Sequence, residues 1–234
     1  MNRQELMLNR LLAKCRDGRD PADLCEPLRL VCMRGEIRCA RLLLANGAMV
    51  DGKVVDGKAA RHPYSAPLFI AATCGHIAIV QLLSSYGASR IVSAPHSPTL
   101  DEICKFSGHV ALSQWLRRTA HWTSLHHLDE LTIERAIALL RDGAILAARP
   151  SPCTPSPLQL AMAPGAPPAI AALFERAAQP WSPHTHQLFP AAARARAEAL
   201  LRIGTRLRDR HGGGMLDVWC GILLPMVVTR ETRC

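Results

Sequence analysis

Residues Pro67–Ser89 read PLFIAATCGHIAIVQLLSSYGAS and contain two short apolar runs, each followed by a glycine. Apolar residues recur every three to four positions, which predicts two short helices closed by Gly75 and Gly87 in left-handed C-cap conformations. Helices this short are unstable alone in water, and neither could bury its apolar side by itself. We therefore expect this segment to need similar segments on both sides.

Similar segments occur on both sides of it. Upstream, Pro27–Asp51 reads PLRLVCMRGEIRCARLLLANGAMVD, and its Gly35 lies 40 positions before Gly75. Downstream, Thr99–Thr119 reads TLDEICKFSGHVALSQWLRRT, and its Gly108 lies 33 positions after Gly75. A period near 33 residues, with a Pro-Leu start and two helices, is typical of ankyrin repeats.

The chain therefore resembles the ankyrin-repeat family, most fully over Pro67–Ser89. Against the family pattern T-P-L-H-x-A-A-x-x-G-H, this segment has Ala66 for Thr and Phe69 for His. The resemblance implies an all-α fold, an ankyrin-type helical solenoid of about four to five degenerate repeats with helical caps. The pattern positions that are kept are Pro67, Leu68, Ala71, Ala72, Gly75 and His76.

Three regions follow from this interpretation. Residues 1–26 are predicted to form an N-terminal cap, with an amphipathic helix from Glu5 to Arg16. Residues 27–179 are predicted to hold the degenerate repeats, and residues 180–234 a helical C-terminal extension. The long connection before the central repeat carries two Asp-Gly pairs, which favour a hairpin-like finger.

Two details of the repeats can be predicted. In the first repeat, Leu30 is expected to face the core together with Leu28 and Val31. In the third repeat, Leu100 lies eight residues before Gly108, one more than the corresponding leucine of the other repeats. This offset predicts a first helix that is shifted or bulged.

Later helix boundaries are predicted from capping residues. Thr132 is the expected N-cap of a helix over Ile133–Arg141. Pro155 and Pro157 are expected to start a helix, which Pro164, Pro167 and Pro168 are expected to stop. Further helix starts are expected at Ser182, which precedes a proline suited to the first helical position, and after Pro190.

Composition limits the class of protein. Of the 234 residues, 49% are apolar and only 4% are aromatic, which suits small side chains between closely stacked helices. The net charge of +9 is compatible with an acidic partner surface or with an ordinary solvated surface. The nine cysteines contain no C-x-x-C pair, so zinc is not expected. Cys32, Cys74 and Cys104 fall inside predicted helices, so we expect free buried thiols in a reducing compartment.

The location of the protein is predicted from what its segments resemble. The opening residues mix charged and apolar side chains, unlike a secretory signal. No apolar run reaches the length of a membrane span. We expect a soluble, intracellular monomer, cytoplasmic or nuclear, that does not enter a membrane.

No set of residues predicts chemistry. His126 and His127 are adjacent and would point about a hundred degrees apart on a helix. His184 and His186 have no matching carboxylate or cysteine pair, and neither a nucleophile elbow nor a phosphate-binding loop is present. We therefore expect no catalysis, no cofactor and no metal.

The resemblance implies a protein-interaction module that binds a partner on its concave face and finger loops. In such arrays the partner-contacting positions are the exposed sites before each helix-ending glycine, and the fingers. In the helices these positions are Met33, Arg34, Thr73, Cys74, Phe106 and Ser107. In the fingers they are Lys53, Lys58, Arg61, His62, Tyr64, Arg90 and His96.

Two alternatives remain open. The C-terminal segment, which includes MLDVWCGILLP at residues 215–225, could recruit a ubiquitin-ligase component, which would make the protein a substrate adaptor. An arginine stripe formed by Arg202, Arg206 and Arg210 could bind nucleic acid. Because the chain lacks an aromatic platform and a nucleic-acid motif, nucleic acid is the weaker alternative.

Overall fold

The structure is a computed structural model that describes residues 24–51, 66–91, 98–211 and 217–230. Those ranges are helical and contain no β-strand, which confirms the all-α prediction for them. The chain divides into two compact units, Met1–His127 and Leu128–Cys234, and each is described by itself. The expected helix from Glu5 to Arg16 lies outside the described residues, and the division at residues 26 and 179 stays a prediction.

The described part of the first unit consists of consecutive helix pairs. In each pair a first helix, a glycine turn and a second helix follow directly along the chain. A 3-10 turn, Ser124–His126, follows the third pair. The helix bounds are α1 Cys25–Arg34, α2 Ile37–Ala45, α3 Pro67–Thr73, α4 Ile77–Ser85, α5 Leu100–Phe106 and α6 Val110–Arg118.

The glycine turns end the first helices in the same way. Gly35, Gly75 and Gly108 have φ angles of +77°, +75° and +83°, in the left-handed region that favours glycine. In the central pair, the N–H of His76 donates to the carbonyl of Ala71 at 2.9 Å, and the equivalent bond closes the other two turns. This is the Schellman arrangement, and it satisfies carbonyls that the helix end leaves without a partner.

Small buried side chains allow the helix pairs of the first unit to lie close together. The first helices contact one another in sequence, α1 with α3 and α3 with α5, and α2 contacts α4. Cys32, Ala72 and Cys104 are fully buried between them. The thiol of Cys104 lies 3.8 Å from the carbonyl oxygen of Ala72 on the preceding first helix. The core of this unit is therefore continuous across the three pairs.

The third pair corrects one prediction. The expected shift or bulge in its first helix is wrong, because α5 is an unbroken helix of seven residues, the same length as α3. Leu100 occupies the position that Pro67 holds in α3, eight residues before the glycine in both. Thr99 and Glu102 form a capping box in place of the helix-starting proline, with the Thr99 N–H donating to the Glu102 carboxylate at 2.8 Å.

The second unit is also helical in its described residues. Thr132 caps α7 as predicted, its hydroxyl accepting from the N–H of Arg135 at 3.2 Å. A 3-10 turn, His186–Leu188, precedes the longest helix. The bounds are α7 Ile133–Arg141, α8 Pro157–Ala161, α9 Pro168–Ala178 and α10 Ala191–His211. A terminal helix covers residues 217–227, with π-helical geometry over Trp219–Leu223 and α-helical geometry over Leu224–Val227.

The helix expected from Pro157 is confirmed, since α8 begins there and ends at Ala161, before Pro164. Pro168 then begins α9, because a proline is tolerated in the first turn, where no N–H is needed. The helix start predicted at Ser182 is wrong, because no α-helix begins there. Instead, the Ser182 N–H donates to the Thr185 hydroxyl at 2.8 Å and the Thr185 N–H donates back to the Ser182 hydroxyl at 3.3 Å, which closes a local turn.

The predicted start after Pro190 is confirmed, since α10 begins at Ala191. None of the helices in the described ranges is long and apolar enough to cross a lipid bilayer.

Candidate protein-binding surface

The three glycine turns provide a common reference for the first helices. The residues five positions before each glycine are Leu30, Ile70 and Ile103, and the residues two positions before are Met33, Thr73 and Phe106. None of the six is buried. Leu30 is 40% exposed, Met33 50% and Phe106 83%. We call this set of six residues on α1, α3 and α5 the first-helix face.

Histidines that directly precede the second helices α4 and α6 fix the spacing of this face. The Nε2–H of His76 donates to the carbonyl of Met33 at 3.2 Å, and that of His109 donates to the carbonyl of Thr73 at 3.0 Å. Each bond joins the end of one first helix to the turn of the next pair. Neighbouring members of the Met33–Thr73–Phe106 row are therefore held in register by hydrogen bonds.

Those histidine rings also require glycine in the preceding turn. A Cβ on Gly35 would lie 2.8 Å from the ring of His76, and a Cβ on Gly75 would overlap the ring of His109. A Cβ on Gly108 would meet no atom within 4 Å. The first two turns, at Gly35 and Gly75, are therefore restricted to glycine both by φ and by the histidine of the next pair. The third turn, at Gly108, is restricted by φ alone.

Acidic groups of the first helices are used within the fold. Glu26 pairs with Arg29 at 2.7 Å, and Asp101 pairs with the Nε of Arg117 on α6 at 2.7 Å. Hydrogen bonds from Arg117 and then Thr99 lower the pKa of Asp101. A hydrogen bond from the backbone N–H of Thr99 likewise lowers the pKa of Glu102, the capping-box carboxylate of α5.

Two exposed cations of the first helices, in contrast, are not paired with acidic groups within the described residues. Arg34, the last residue of α1, and Lys105, near the end of α5, are exposed and form no ion pair among the described residues. Lys105 lies three positions before its glycine, where α1 and α3 carry the fully buried Cys32 and Ala72. Glu102 of α5 is exposed and likewise forms no ion pair within the described ranges, so the unpaired charges on these helices are of both signs.

The structure brings together the partner-binding residues predicted on the helices. Each lies exposed at the end of its first helix or in the turn that follows. They are Met33, Arg34, Thr73, Cys74, Phe106 and Ser107. The finger residues predicted with them, Lys53, Lys58, Arg61, His62, Tyr64 and His96, lie outside the described residues.

Arg90 is placed differently from the other predicted binding residues. Its Nη1 donates to the carbonyl and the hydroxyl of Thr119 at 2.7 and 3.0 Å, and its guanidinium lies 5.2 Å from the ring centroid of Trp115. Burial lowers the pKa of Arg90 to about 10. The side chain therefore holds the end of α6 and is not part of the first-helix face.

Sequence reasoning missed half of this face. Leu30 was predicted to face the core, which is wrong, and Ile70 and Ile103 were not identified as surface residues. All apolar residues of α3 except Ile70 are buried, so residue type alone does not show that this isoleucine lies at the surface. Counting back from the three glycines would have aligned Leu30, Ile70 and Ile103 on one row.

The predicted burial of three cysteines is correct for two of them. Cys32 and Cys104 are fully buried, and burial raises their pKa values to about 12 and about 11, which keeps both thiols protonated. The expectation for Cys74 is wrong. It is exposed, because α3 ends at Thr73 and Cys74 is the C-cap residue facing solvent.

The paired histidines of the first unit serve packing. His127 is 5% exposed, and its ring centroid lies 5.8 Å from that of Trp115 and 5.2 Å from that of Trp122. Burial, with the charge of Arg90 and then of His126, lowers its pKa to about 3, so the imidazole is neutral. Among the described residues, no group of three or more histidine, cysteine or acidic side chains is placed to hold a metal ion.

The second unit carries another exposed apolar surface, on the terminal helix. This helix is anchored by Trp219, whose Nε1–H donates to the carbonyl of Leu200 at 2.8 Å, and by the fully buried Leu224. Five apolar side chains of the helix are between 40% and 72% exposed. We call them the terminal-helix stripe: Val218, Ile222, Leu223, Met226 and Val227.

Comparison with known proteins adds no family assignment. The sequence matches no protein-family model, and no curated protein matches it.

Proposed function

We propose that this chain is an ankyrin-type helical solenoid that acts as a protein-interaction module and binds its partner on the first-helix face. The repeat pattern of the sequence supports the architecture, as do the helix pairs of the first unit with their left-handed glycine turns. Arrays of this kind present an extended surface rather than a catalytic pocket. The function is therefore recognition of another protein.

The observation that carries this proposal is the exposed apolar character of the first-helix face. Single exposed apolar residues are ordinary on protein surfaces, but aligned rows on packed helices are typical of interaction sites. Phe106 is 83% exposed although it lies on a helix whose other side is in the core. Phenylalanine and the other aromatic residues are enriched in the cores of protein interfaces.

Affinity capture with matched variants tests the proposal. The full chain, the Phe106→Glu variant and the Met33→Glu variant would be immobilised and exposed to a cell lysate. As the control we choose Ile91→Glu, because Ile91 is 78% exposed but lies outside the first-helix face. A partner bound by the full chain and the control but lost with both face variants supports the proposal, and a partner that all four proteins retain contradicts it.

A second candidate function rests on the terminal-helix stripe. A helix that exposes a continuous apolar side is a typical ligand for the groove of a helical partner. π-Helical segments such as Trp219–Leu223 are frequent at functional sites. We propose, as the alternative, that this stripe recruits a ubiquitin-ligase component while the first unit holds a substrate.

The alternative has its own variants. Replacing Ile222 or Met226 with aspartate should remove a ubiquitin-ligase component from the captured proteins, whereas Ile203→Asp on α10 should not. Ile203 is a suitable control because it is 46% exposed but does not belong to the stripe. Recovery of the same ligase component by all of these variants would exclude the stripe as its docking site.

A further inference from the structure

We infer that Ser151 and Thr154 are phosphorylation sites for a proline-directed serine/threonine kinase, and that the fold makes Ser156, the third candidate in the same segment, inaccessible to that kinase. The segment is residues 149–157, RPSPCTPSP, which joins α7 to α8 in the second unit. The inference goes beyond the proposed function and does not depend on the first-helix face.

The first argument is the density of serine–proline and threonine–proline pairs. Three of these pairs lie within residues 151–157, and they begin at Ser151, Thr154 and Ser156. Proline-directed kinases select a hydroxyl by the residue that follows it, because a proline fills an apolar pocket and has no N–H that would be left without a partner. The sequence therefore offers such a kinase three acceptors in one short segment.

The second argument is that two of the three hydroxyl groups are accessible and unused. Ser151 and Thr154 are partly exposed, and the two residues between them, Pro152 and Cys153, are exposed. Neither hydroxyl forms a hydrogen bond with the part of the chain that the structure describes. A phosphoryl group added to either hydroxyl therefore breaks no hydrogen bond of the fold.

The third argument is the backbone of the segment. Residues 149–156 are neither helix nor strand, and the N–H of Thr154 donates to the carbonyl of Ser151 at 3.0 Å to close a turn. A kinase binds its substrate in an extended conformation, which residues that precede a proline already favour. Extending the chain around Ser151 therefore requires this turn to open but does not require any helix to unfold.

The fourth argument is the charge of the surrounding sequence. A phosphate group carries a charge of about −1.5 to −2 at pH 7. No acidic residue lies between Asp142 and Glu175 along the chain, and Arg149 is exposed two positions before Ser151. The phosphates are therefore added without repulsion from carboxylates nearby in the sequence, and they convert a segment without acidic residues into a strongly anionic one.

Two other serines that precede prolines are not available in the same way. Ser156 is 5% exposed, and its hydroxyl accepts the N–H of Gln159 at 3.2 Å as the N-cap of α8, so a kinase would have to remove this cap. The hydroxyl of Ser182, which precedes Pro183, accepts the N–H of Thr185 at 3.3 Å. The structure thus separates two accessible acceptors from two that the fold already uses.

The modification is an ordinary phosphoryl transfer from ATP. The hydroxyl oxygen forms a bond to the γ-phosphorus, and the bond between that phosphorus and the β-phosphate oxygen breaks. ADP leaves, and the hydroxyl proton passes to the catalytic aspartate of the kinase.

Phosphorylation of the full chain in vitro tests this inference. The chain is incubated with ATP and a mitogen-activated or a cyclin-dependent kinase, in separate reactions, and mass spectrometry follows the occupancy of each site. A peptide of residues 147–160, which carries all three pairs without the fold, is treated in parallel. Pro152→Ala removes the proline of one site and keeps that of the other, and thermal melts verify that the proteins fold.

We expect Ser151 and Thr154 of the full chain to be phosphorylated roughly tenfold faster than Ser156 and Ser182. In the peptide, Ser156 should react as well, because no helix cap protects it. Pro152→Ala should abolish phosphorylation of Ser151 and leave that of Thr154. The melting temperature of the phosphorylated chain should equal that of the unmodified chain.

Three outcomes would overturn the inference. Phosphorylation of the peptide but not of the full chain would show that the fold closes the whole segment. Equal rates at Ser156 and Ser151 in the full chain would show that the fold does not select among the acceptors. If neither kinase modifies the chain or the peptide, the segment is not a substrate of this class.

Discussion

The imidazole of His109 donates to the carbonyl of Thr73 at 3.0 Å and occupies the space that a side chain on Gly75 would need. One histidine thus joins two helix pairs and restricts the turn inside the preceding pair to glycine. His76 does the same to Met33 and Gly35. The histidine after the last glycine therefore acts backwards, on the preceding pair, and Gly108 has no neighbour of this kind within 4 Å of its Cβ position.

Alanine at Gly75 should destabilise the first unit more than alanine at Gly108. Both residues have φ near +80°, which costs an alanine about 1–2 kcal/mol. At Gly75 the added methyl group also overlaps the His109 ring, which adds about 1–3 kcal/mol. Urea unfolding of the two variants measures the difference.

A double-mutant cycle isolates the contribution of the ring. His109→Ala removes the obstacle, so Gly75→Ala in that background should cost no more than Gly108→Ala does. Additive losses from Gly75→Ala and His109→Ala would show that the ring does not restrict the turn.

Acid should destabilise the first unit through His127. Its pKa is about 3 in the folded protein, against an ordinary value of 6.5. Between those values the unfolded chain binds one more proton than the folded chain, so stability falls as the pH is lowered below 6.5. The expected loss from this residue at pH 5 is about 2 kcal/mol, measured by urea unfolding over a pH series.

Phenylalanine at position 127 removes the proton and keeps a ring between Trp115 and Trp122. The pH slope of this variant, averaged between pH 5 and 6.5, should be smaller by about 1 kcal/mol per pH unit. His121→Gln, at an exposed histidine, is the matched control and should keep the slope of the original chain. Equal slopes in all three proteins would argue against a buried neutral His127.

Much of the first unit follows from the sequence because glycine and apolar spacing act locally. The glycines at 35, 75 and 108 end helices in the left-handed conformation, which is a property of the residue. Leu30 and Ile70 were not recognised as surface residues because an apolar side chain by itself does not tell a core position from a binding row. The neighbouring helix decides that, and it lies 40 residues away.

Local rules were less informative in the second unit. Ser182 followed by proline favours a helix start, but the reciprocal Ser182–Thr185 hydrogen bonds stabilise a turn instead. The π-helical segment was also not predicted. Pro225 has no N–H to donate to the turn before it, so the hydrogen-bonding pattern there depends on packing as well as residue preference.

Arg90 should prove to be structural when it is replaced by methionine. The change keeps an apolar stem beside Trp115 but removes the hydrogen bonds to Thr119 and the guanidinium–ring contact. We expect a loss of about 1–3 kcal/mol in urea unfolding. Because the charge of Arg90 lowers the pKa of His127, that pKa should also rise, which an NMR titration of the histidines would detect.

The matched change is Arg118→Met, since Arg118 is exposed at the end of α6. It should leave both the unfolding midpoint and the His127 titration unchanged. An Arg90→Met variant as stable as Arg118→Met would return Arg90 to the set of candidate partner-binding residues.

Glycine is required at position 204 of α10 and not at position 221 of the terminal helix. A Cβ on Gly204 would lie 2.8 Å from the indole of Trp219, whereas a Cβ on Gly221 meets no atom within 4 Å. Gly204→Ala should therefore displace Trp219 from its hydrogen bond to the carbonyl of Leu200, shift its fluorescence to the red and lower the melting temperature. Gly221→Ala should leave the fluorescence unchanged and stabilise the helix by a few tenths to about 1 kcal/mol, because alanine favours helix over glycine. The difference between the two variants matters for function, since Trp219 anchors the helix that carries the terminal-helix stripe. If Gly204→Ala keeps both its fluorescence and its melting temperature, the close packing of Trp219 on α10 is wrong, and the orientation of the stripe with it.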